Sequence, residues 1–256
     1  MRAAFALVML FLVTTSGFAA ADVPDQWLLM VRTRNTDPSQ EAAFNHWYDE
    51  IDVPDVLKVP GFQRAVRGQQ LGDGAARPPH YVALYDIHSP AIDKTIIDML
   101  MATWEMIRSG RDTSLLAVEE RSYYQLTGDL PGRAKDGRAG SRYLLLERFG
   151  LADGHGVDEL SAWCARRSIQ AVSRPEVVSV RRFELYRVLM FEPTSAPRYL
   201  TVYTIVAADD QAAEQDARAL LPQAAEGQGH GYAAEGGLSY ALLRDSSDAV
   251  PHLATR

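Results

Sequence analysis

One short stretch of the chain gathers the side chains best suited to moving protons: His46, Asp49, Glu50 and Asp52, with Tyr48 among them. On a helix, His46 and Glu50 are i, i+4 neighbours and Asp49 and Asp52 are i, i+3 neighbours. A solvated polar face explains this pattern as well as a functional cluster does. Asp52 is the strongest candidate of the group. It stands close before Pro54, and the residue ahead of a proline avoids the α region, so the helix is expected to end there. A side chain at such an end can turn into a pocket, where burial and the Asp49 carboxylate would raise its pKa toward that of a useful base. The bland reading is a turn residue held by local backbone amides. The candidate catalytic set is therefore Asp52 as base, with Tyr48 or His46 assisting.

A ligand needs walls as well as a base. Tyr48, Tyr81, Tyr85 and Trp104 come from separate segments and would line an apolar pocket for a flat molecule, although core packing explains any one of them. Arg32 and Asp49 complete the candidate ligand-binding set. Arg32 and Arg34 share one strand face and suit a carboxylate. No C-x-x-C, H-E-x-x-H, dinucleotide fingerprint or P-loop occurs, and His80 and His88 are too far apart to share a ligand set. Cys164 is the single cysteine, so no disulfide can form within the chain, and it reads as a buried structural thiol. Neither a metal nor a cofactor is expected.

These residues sit in a pattern that occurs twice, at an offset of roughly 115 positions. Trp27–Arg34 and Tyr143–Phe149 read as strands, each followed by a helix, Ser39–Ile51 and Val157–Val172. Turns at Pro60-Gly61 and Pro175-Glu176 lead into strands Phe62–Arg67 and Val177–Phe183. His80–Ile87 aligns with Arg198–Ile205, placing Tyr81, Tyr85 and Ile87 opposite Tyr199, Tyr203 and Ile205. Helices Ala91–Arg108 and Asp209–Leu221 follow, and the last strands carry Ser122-Tyr123 and Ser239-Tyr240. Each half is thus βαββαβ, the ferredoxin-like unit. A four-stranded sheet with helices on one face leaves the other bare. The expected fold is α+β: two tandem units whose antiparallel sheets pack face to face as a fused barrel.

The domain reading places the first repeat at 22–126, a Gly-rich linker at 127–141 and a second, degenerate repeat at 142–256. Gly68–Pro79 and Ala224–Gly237 read as long loops. Residues 1–21 have the form of a secretory signal peptide. Arg2 precedes the apolar run Ala3–Val13, and Ala19-Ala20-Ala21 supplies a small-residue cleavage site before Asp22. The expected location is periplasmic or secreted. No later stretch is apolar enough to span a bilayer. The 256 residues are 47% hydrophobic and 23% charged, ordinary values for a globular chain, which exclude disorder. A net charge of −7 argues against nucleic-acid binding.

The run Trp47-Tyr-Asp-Glu-Ile-Asp-Val-Pro-Asp-Val-Leu57, then Val59-Pro-Gly-Phe62, resembles the dimeric α+β barrel superfamily, in particular the ethyl tert-butyl ether degradation (EthD-like) branch and its relatives. Their pattern is W-Y-x-x-x-H-V-P-x-x-L-x-x-P-G-F. The likeness implies the barrel fold. It says little about activity, since the superfamily holds isomerases, cofactor-free monooxygenases, haem enzymes with an axial His, and ligand binders. The branch's His before Val-Pro is Asp52 here. In the second half the helix lacks the acids, and Ser168 falls near the Asp52 slot, so a single site belongs in the first repeat.

Three functions follow. The first is an exported, cofactor-independent enzyme acting by proton transfer, of isomerase, lyase or cyclase type or a cofactor-free monooxygenase, on a small aromatic or polyketide-like molecule. The second is a small-ligand binding protein without turnover. The third is a haem protein, for which His46, His80, His88, His155 and His230 are available. The expected partner is a small molecule, with no nucleic acid and no membrane after signal cleavage, and a homodimer is compatible with the sequence.

Overall fold

The computed structural model describes residues 25–72, 79–134, 140–189 and 197–246. The expected signal peptide, residues 73–78 of the expected loop and residues 135–139 of the expected linker lie outside them. The first repeat runs β1 (Gln26–Asn35), α1 (Glu41–Trp47), a wide helical turn (Tyr48–Asp52), α2 (Val53–Val56), β2 (Phe62–Gln70), β3 (His80–His88), α3 (Ile92–Arg108) and β4 (Leu116–Pro131). The second runs β5 (Ser141–Leu151), α4 (Val157–Val172), β6 (Val177–Val188), β7 (Tyr199–Ala207), α5 (Asp210–Leu220), a short α6 (Ala224–Gln228) and β8 (Tyr232–Asp245). Among the described residues, no helix is long and apolar enough to cross a membrane.

All eight strands close into one antiparallel barrel in the order β1-β3-β2-β8-β5-β7-β6-β4. Each repeat contributes four adjacent strands, and the repeats join at two seams, β2 with β8 and β4 with β6. Closure removes both sheet edges, so no backbone donor row is left to pair elsewhere. Strand alternation then sorts the side chains. Leu28, Met30, Val82 and Leu84 of the first repeat meet Leu144, Leu146, Leu200 and Val202 of the second inside the barrel. Leu29, Val31, Tyr81 and Tyr85 face outward onto the helices of the first repeat. At the β2–β8 seam a side chain at Gly68 would put its Cβ 2.8 Å from that of Tyr240, so only glycine lets these strands approach.

The closed barrel corrects several sequence expectations. Thr127–Pro131 is not linker but the end of β4, which pairs with β6 as far as Pro131↔Ser179. Gly68–Gln70 belongs to β2, and the expected Ala224–Gly237 loop contains α6 and the start of β8. At Thr127–Pro131 and Gly68–Gln70 the seam, a contact between distant segments, extends a strand through residues of low strand propensity, while Tyr232–Gly237 is held by β5 of its own repeat. Tyr124, rather than Tyr123, shares the barrel interior with Tyr240.

A candidate active site between the first repeat's helices and its sheet

The helix expected to stop before Pro54 does not stop. Asp52 and Val53 both keep right-handed helical backbone, with φ/ψ of −63°/−57° and −58°/−47°. The chain instead takes one wide π-type turn over Tyr48–Asp52 and continues as α2 with Pro54 in its first turn. Proline lacks an N–H, and its ring would collide with the carbonyl four residues back in a regular helix; the wider turn accommodates both. Such turns recur at functional sites. This one brings Tyr48 and Asp52 to the side facing the sheet and leaves His46 and Glu50 in solvent.

Between this segment, α3 and the outer face of the sheet lies a cavity of about 240 Å³. Leu29, Val31, Trp47, Val56, Met99 and Met106 make it largely apolar. Its polar groups are Asp52, Tyr48, Tyr85 and Arg121, with Thr103, Thr113 and Asp112 also on its wall. The Tyr85 hydroxyl donates to Asp52 Oδ2 at 3.0 Å. Burial pushes the Asp52 carboxyl up to about 6, against the pull of the Tyr85 hydrogen bond and the Arg121 and Arg67 charges. The acid that adds to the rise is Asp55, not Asp49 as the sequence suggested. Burial, and then the Asp52 charge, hold Tyr48 and Tyr85 well above the ordinary phenol range. Both are therefore neutral donors near pH 7.

Arg121 reaches the cavity from β4, where it pairs with Val31 in step with Tyr123 opposite Leu29, and an irregularity follows just beyond it. Arg32 pairs with Glu120 but Thr33 with Val118, so Glu119 is an extra, bulged residue. The bulge reverses the alternation of β4, and Leu116, Val118 and Arg121 all come to line the cavity. The Arg121 Nε is buried without an acceptor, and none of the described carboxylates lies within ion-pair distance of its guanidinium. A cation in a largely apolar cavity, coupled to Asp52 but not in contact with it, can receive negative charge from a ligand. Period-2 reading back from Tyr123 puts Arg121 on this face, but it would turn Leu116 and Val118 the other way, because the bulge is set by pairing and not by composition.

The other expected site residues divide. Asp49 does not line the cavity. It pairs with Arg67, whose side chain is 1% exposed and whose guanidinium sits 4.0 Å from the Tyr48 ring centre while also donating to Asn45 at 3.1 Å. Asp49 and Arg67 thus brace the wide turn from behind. Tyr81 is buried on the same sheet face as Tyr85 but packs on Phe44 outside the cavity. Arg32 faces the other side of the sheet and meets Glu119 and Glu120. Trp104 is 64% exposed on the far face of α3 and lines nothing. His46, one residue before the buried Trp47, points to solvent and cannot assist Asp52.

The second repeat is filled rather than empty of acid. Trp163, Cys164 and Ser168 take the places of Trp47, Tyr48 and Asp52. Glu147, 0% exposed, occupies the Val31 position on β5. It is neutralised by Arg167 at 2.7 Å and accepts from the Tyr203 hydroxyl at 2.7 Å. The openings there measure about 70 Å³ beside Cys164 and about 200 Å³ beside Arg167. Cys164 is buried, and burial pushes its thiol up to about 12, which fits the inert thiol expected. A larger opening of about 710 Å³ lies at one end of the barrel, but its arginines and aspartates are matched to one another, as in Arg181–Asp86 and Arg64–Asp245.

Haem fits poorly. No histidine lines the cavity among the described residues; His80 contacts Glu119, and His155 and His230 contact Glu159. Nor does any group of three metal-ligating side chains gather among the described residues.

No family model and no curated protein matches the chain in sequence. Solved structures match in fold. An anthrone oxidase-like protein aligns over 88% of this chain and 94% of its own, with a TM-score of 0.56 at 10% identity. A candidate monooxygenase from Fusobacterium nucleatum subsp. nucleatum aligns over 86% and 93%, with a TM-score of 0.53 at 6% identity. Likeness at this identity is likeness of fold. With the closed eight-stranded barrel, it gives this chain the fold of a fused α+β barrel.

Proposed function

We propose that the first-repeat cavity takes a small, flat, largely apolar carbon acid and that Asp52 removes its proton. One observation carries this reading: a carboxylate with its pKa raised to about 6 shares an apolar cavity with Arg121, a cation that none of the described carboxylates reaches within ion-pair distance. The ionised Asp52 takes the proton from a carbon beside a carbonyl. The C–H electron pair moves onto the carbonyl oxygen, and Arg121 receives the enolate charge. Tyr85 holds Asp52 in place, and the neutral Tyr48 hydroxyl orients the ligand. Return of the proton to another carbon would make the reaction an isomerisation. The two fold neighbours named for oxidation of small molecules agree with an aromatic or polyketide-like ligand, and the cavity volume suits a molecule of a few fused or linked rings at most. No step calls for a bound cofactor.

Export is part of the same proposal, supported by the charged start, apolar run and small-residue site of residues 1–21. Sequencing the N-terminus of the mature protein tests it, with Asp22 as the expected first residue.

The ligand reading is tested by native mass spectrometry of the purified protein, alone and against a panel of phenolic ketones and β-dicarbonyl aromatics. The expected result is one bound small molecule per chain, lost when Thr103→Phe fills the cavity. Binding that survives Thr103→Phe would place the site elsewhere and overturn the reading.

A further inference from the structure

Helix α3 is apolar on two sides. Ile92, Ile96, Met99 and Met106 are buried against the sheet. The opposite stripe of Ile97, Leu100, Met101, Trp104 and Ile107 is exposed, at 58%, 42%, 62%, 64% and 49%. Nothing in the chain covers it among the described residues. These side chains leave roughly 500–600 Å² of apolar surface in one patch, at the upper end of what a monomer shows.

We infer that this stripe is the interface of a symmetric dimer, in which α3 packs antiparallel against α3 of a second copy. The order of residues along the stripe points to this occupant. An antiparallel two-fold centred between Leu100 and Met101 sets Leu100 against Met101, Ile97 against Trp104, and Asp93 against Arg108. Bulk therefore meets bulk, and the acid at one end of the stripe meets the base at the other. Each charged group has a partner within the chain, Asp93 with Arg187 and the Tyr186 hydroxyl and Arg108 with Glu105, but the side chains stay 59% and 70% exposed and can be shared across the contact. An isologous contact needs such self-complementarity. The antiparallel arrangement also opposes the two helix dipoles favourably. Two such patches together bury about 1,000–1,200 Å², at the lower end of specific interfaces. A lipid surface suits the stripe less well, because its flanks carry Asp93, Asp98 and Glu105 against Lys94 and Arg108. Ile107 also lines the cavity, so the second copy would close its outer rim.

The test is sedimentation equilibrium of the full mature chain, with no ligand required. Wild type is expected to be a dimer, and Trp104→Glu or Met101→Lys a folded monomer by circular dichroism. Arg108→Asp alone should weaken the dimer at least about tenfold by facing Asp93 with a like charge, and Asp93→Arg with Arg108→Asp should recover it. A wild-type monomer, a dimer indifferent to Trp104→Glu and Met101→Lys, or a double variant no tighter than Arg108→Asp would overturn the inference. So would a monomer that floats with neutral phosphatidylcholine vesicles.

Discussion

Asp52→Asn should make the protein more stable while removing its proposed chemistry. Asp52 titrates at about 6 in the folded chain against 3.8 for an ordinary carboxyl. The folded state therefore holds this proton more tightly than the unfolded state does. Between about pH 4 and pH 6 the native chain binds the extra proton, so stability falls as pH rises through that window, and the penalty is complete above it. A shift of that size corresponds to about 3 kcal/mol, an upper bound because water entering the cavity would screen the charge. Asparagine keeps an oxygen to accept the Tyr85 hydroxyl and brings no charge. The assay is urea unfolding of wild type and Asp52→Asn at pH 4, 5, 6, 7 and 8. The variant should gain about 1–3 kcal/mol over wild type at pH 7 and 8, shrinking toward zero near pH 4. A difference that does not change with pH, or a variant that loses stability at pH 8 relative to pH 4, would refute the burial argument.

Three further outcomes follow from the same geometry. Tyr85→Phe removes the hydrogen bond that favours ionised Asp52, so the acidic limb of the activity profile should move to higher pH, and unfolding free energy should change by about 1 kcal/mol. Arg121→Gln should lower kcat by about 10²–10³ while leaving the fold intact, because it removes the charge facing a developing enolate; an unchanged kcat would dismiss its role. In the second repeat, Glu147→Gln strands the buried Arg167 cation and should cost about 3–5 kcal/mol in thermal or urea unfolding, with ligand affinity in the first repeat unmoved.

The barrel was legible in sequence because its signals are periodic and local. Alternation in Trp27–Arg34 and His80–Ile87 set the strand faces, the three-to-four spacing of Phe44, Trp47, Tyr48 and Ile51 set a helix, and both patterns recur in the second half. The motif around Trp47–Phe62 then led to the fused barrel seen in the structure. What escaped depended on contacts between distant segments. The bulge at Glu119 puts Leu116 and Val118 on the same face as Arg121 only because β4 shifts register against β1 there. The wide turn at Tyr48–Asp52 carries the helix past Pro54, where local rules end it. Trp104 was misplaced because α3 has two apolar faces, and spacing alone does not say which one meets the sheet. Asp49 was credited to the site because sequence proximity to Asp52 does not show Arg67 reaching it from β2. Glu147 gives no local signal, because the helix of the second repeat lacks the first repeat's acids and this carboxylate stands on a strand.

Solvent deuterium exchange into a bound carbon acid, followed by NMR in the wild type and in Asp52→Asn, decides whether the cavity abstracts protons. The wild type should exchange the C–H beside the carbonyl with a rate that rises through about pH 6 and then levels, as Asp52 ionises. Asp52→Asn should bind the same ligand and leave that hydrogen in place. Equal exchange in both proteins, or tight binding with no exchange in the wild type at any pH, would contradict Asp52 as the base.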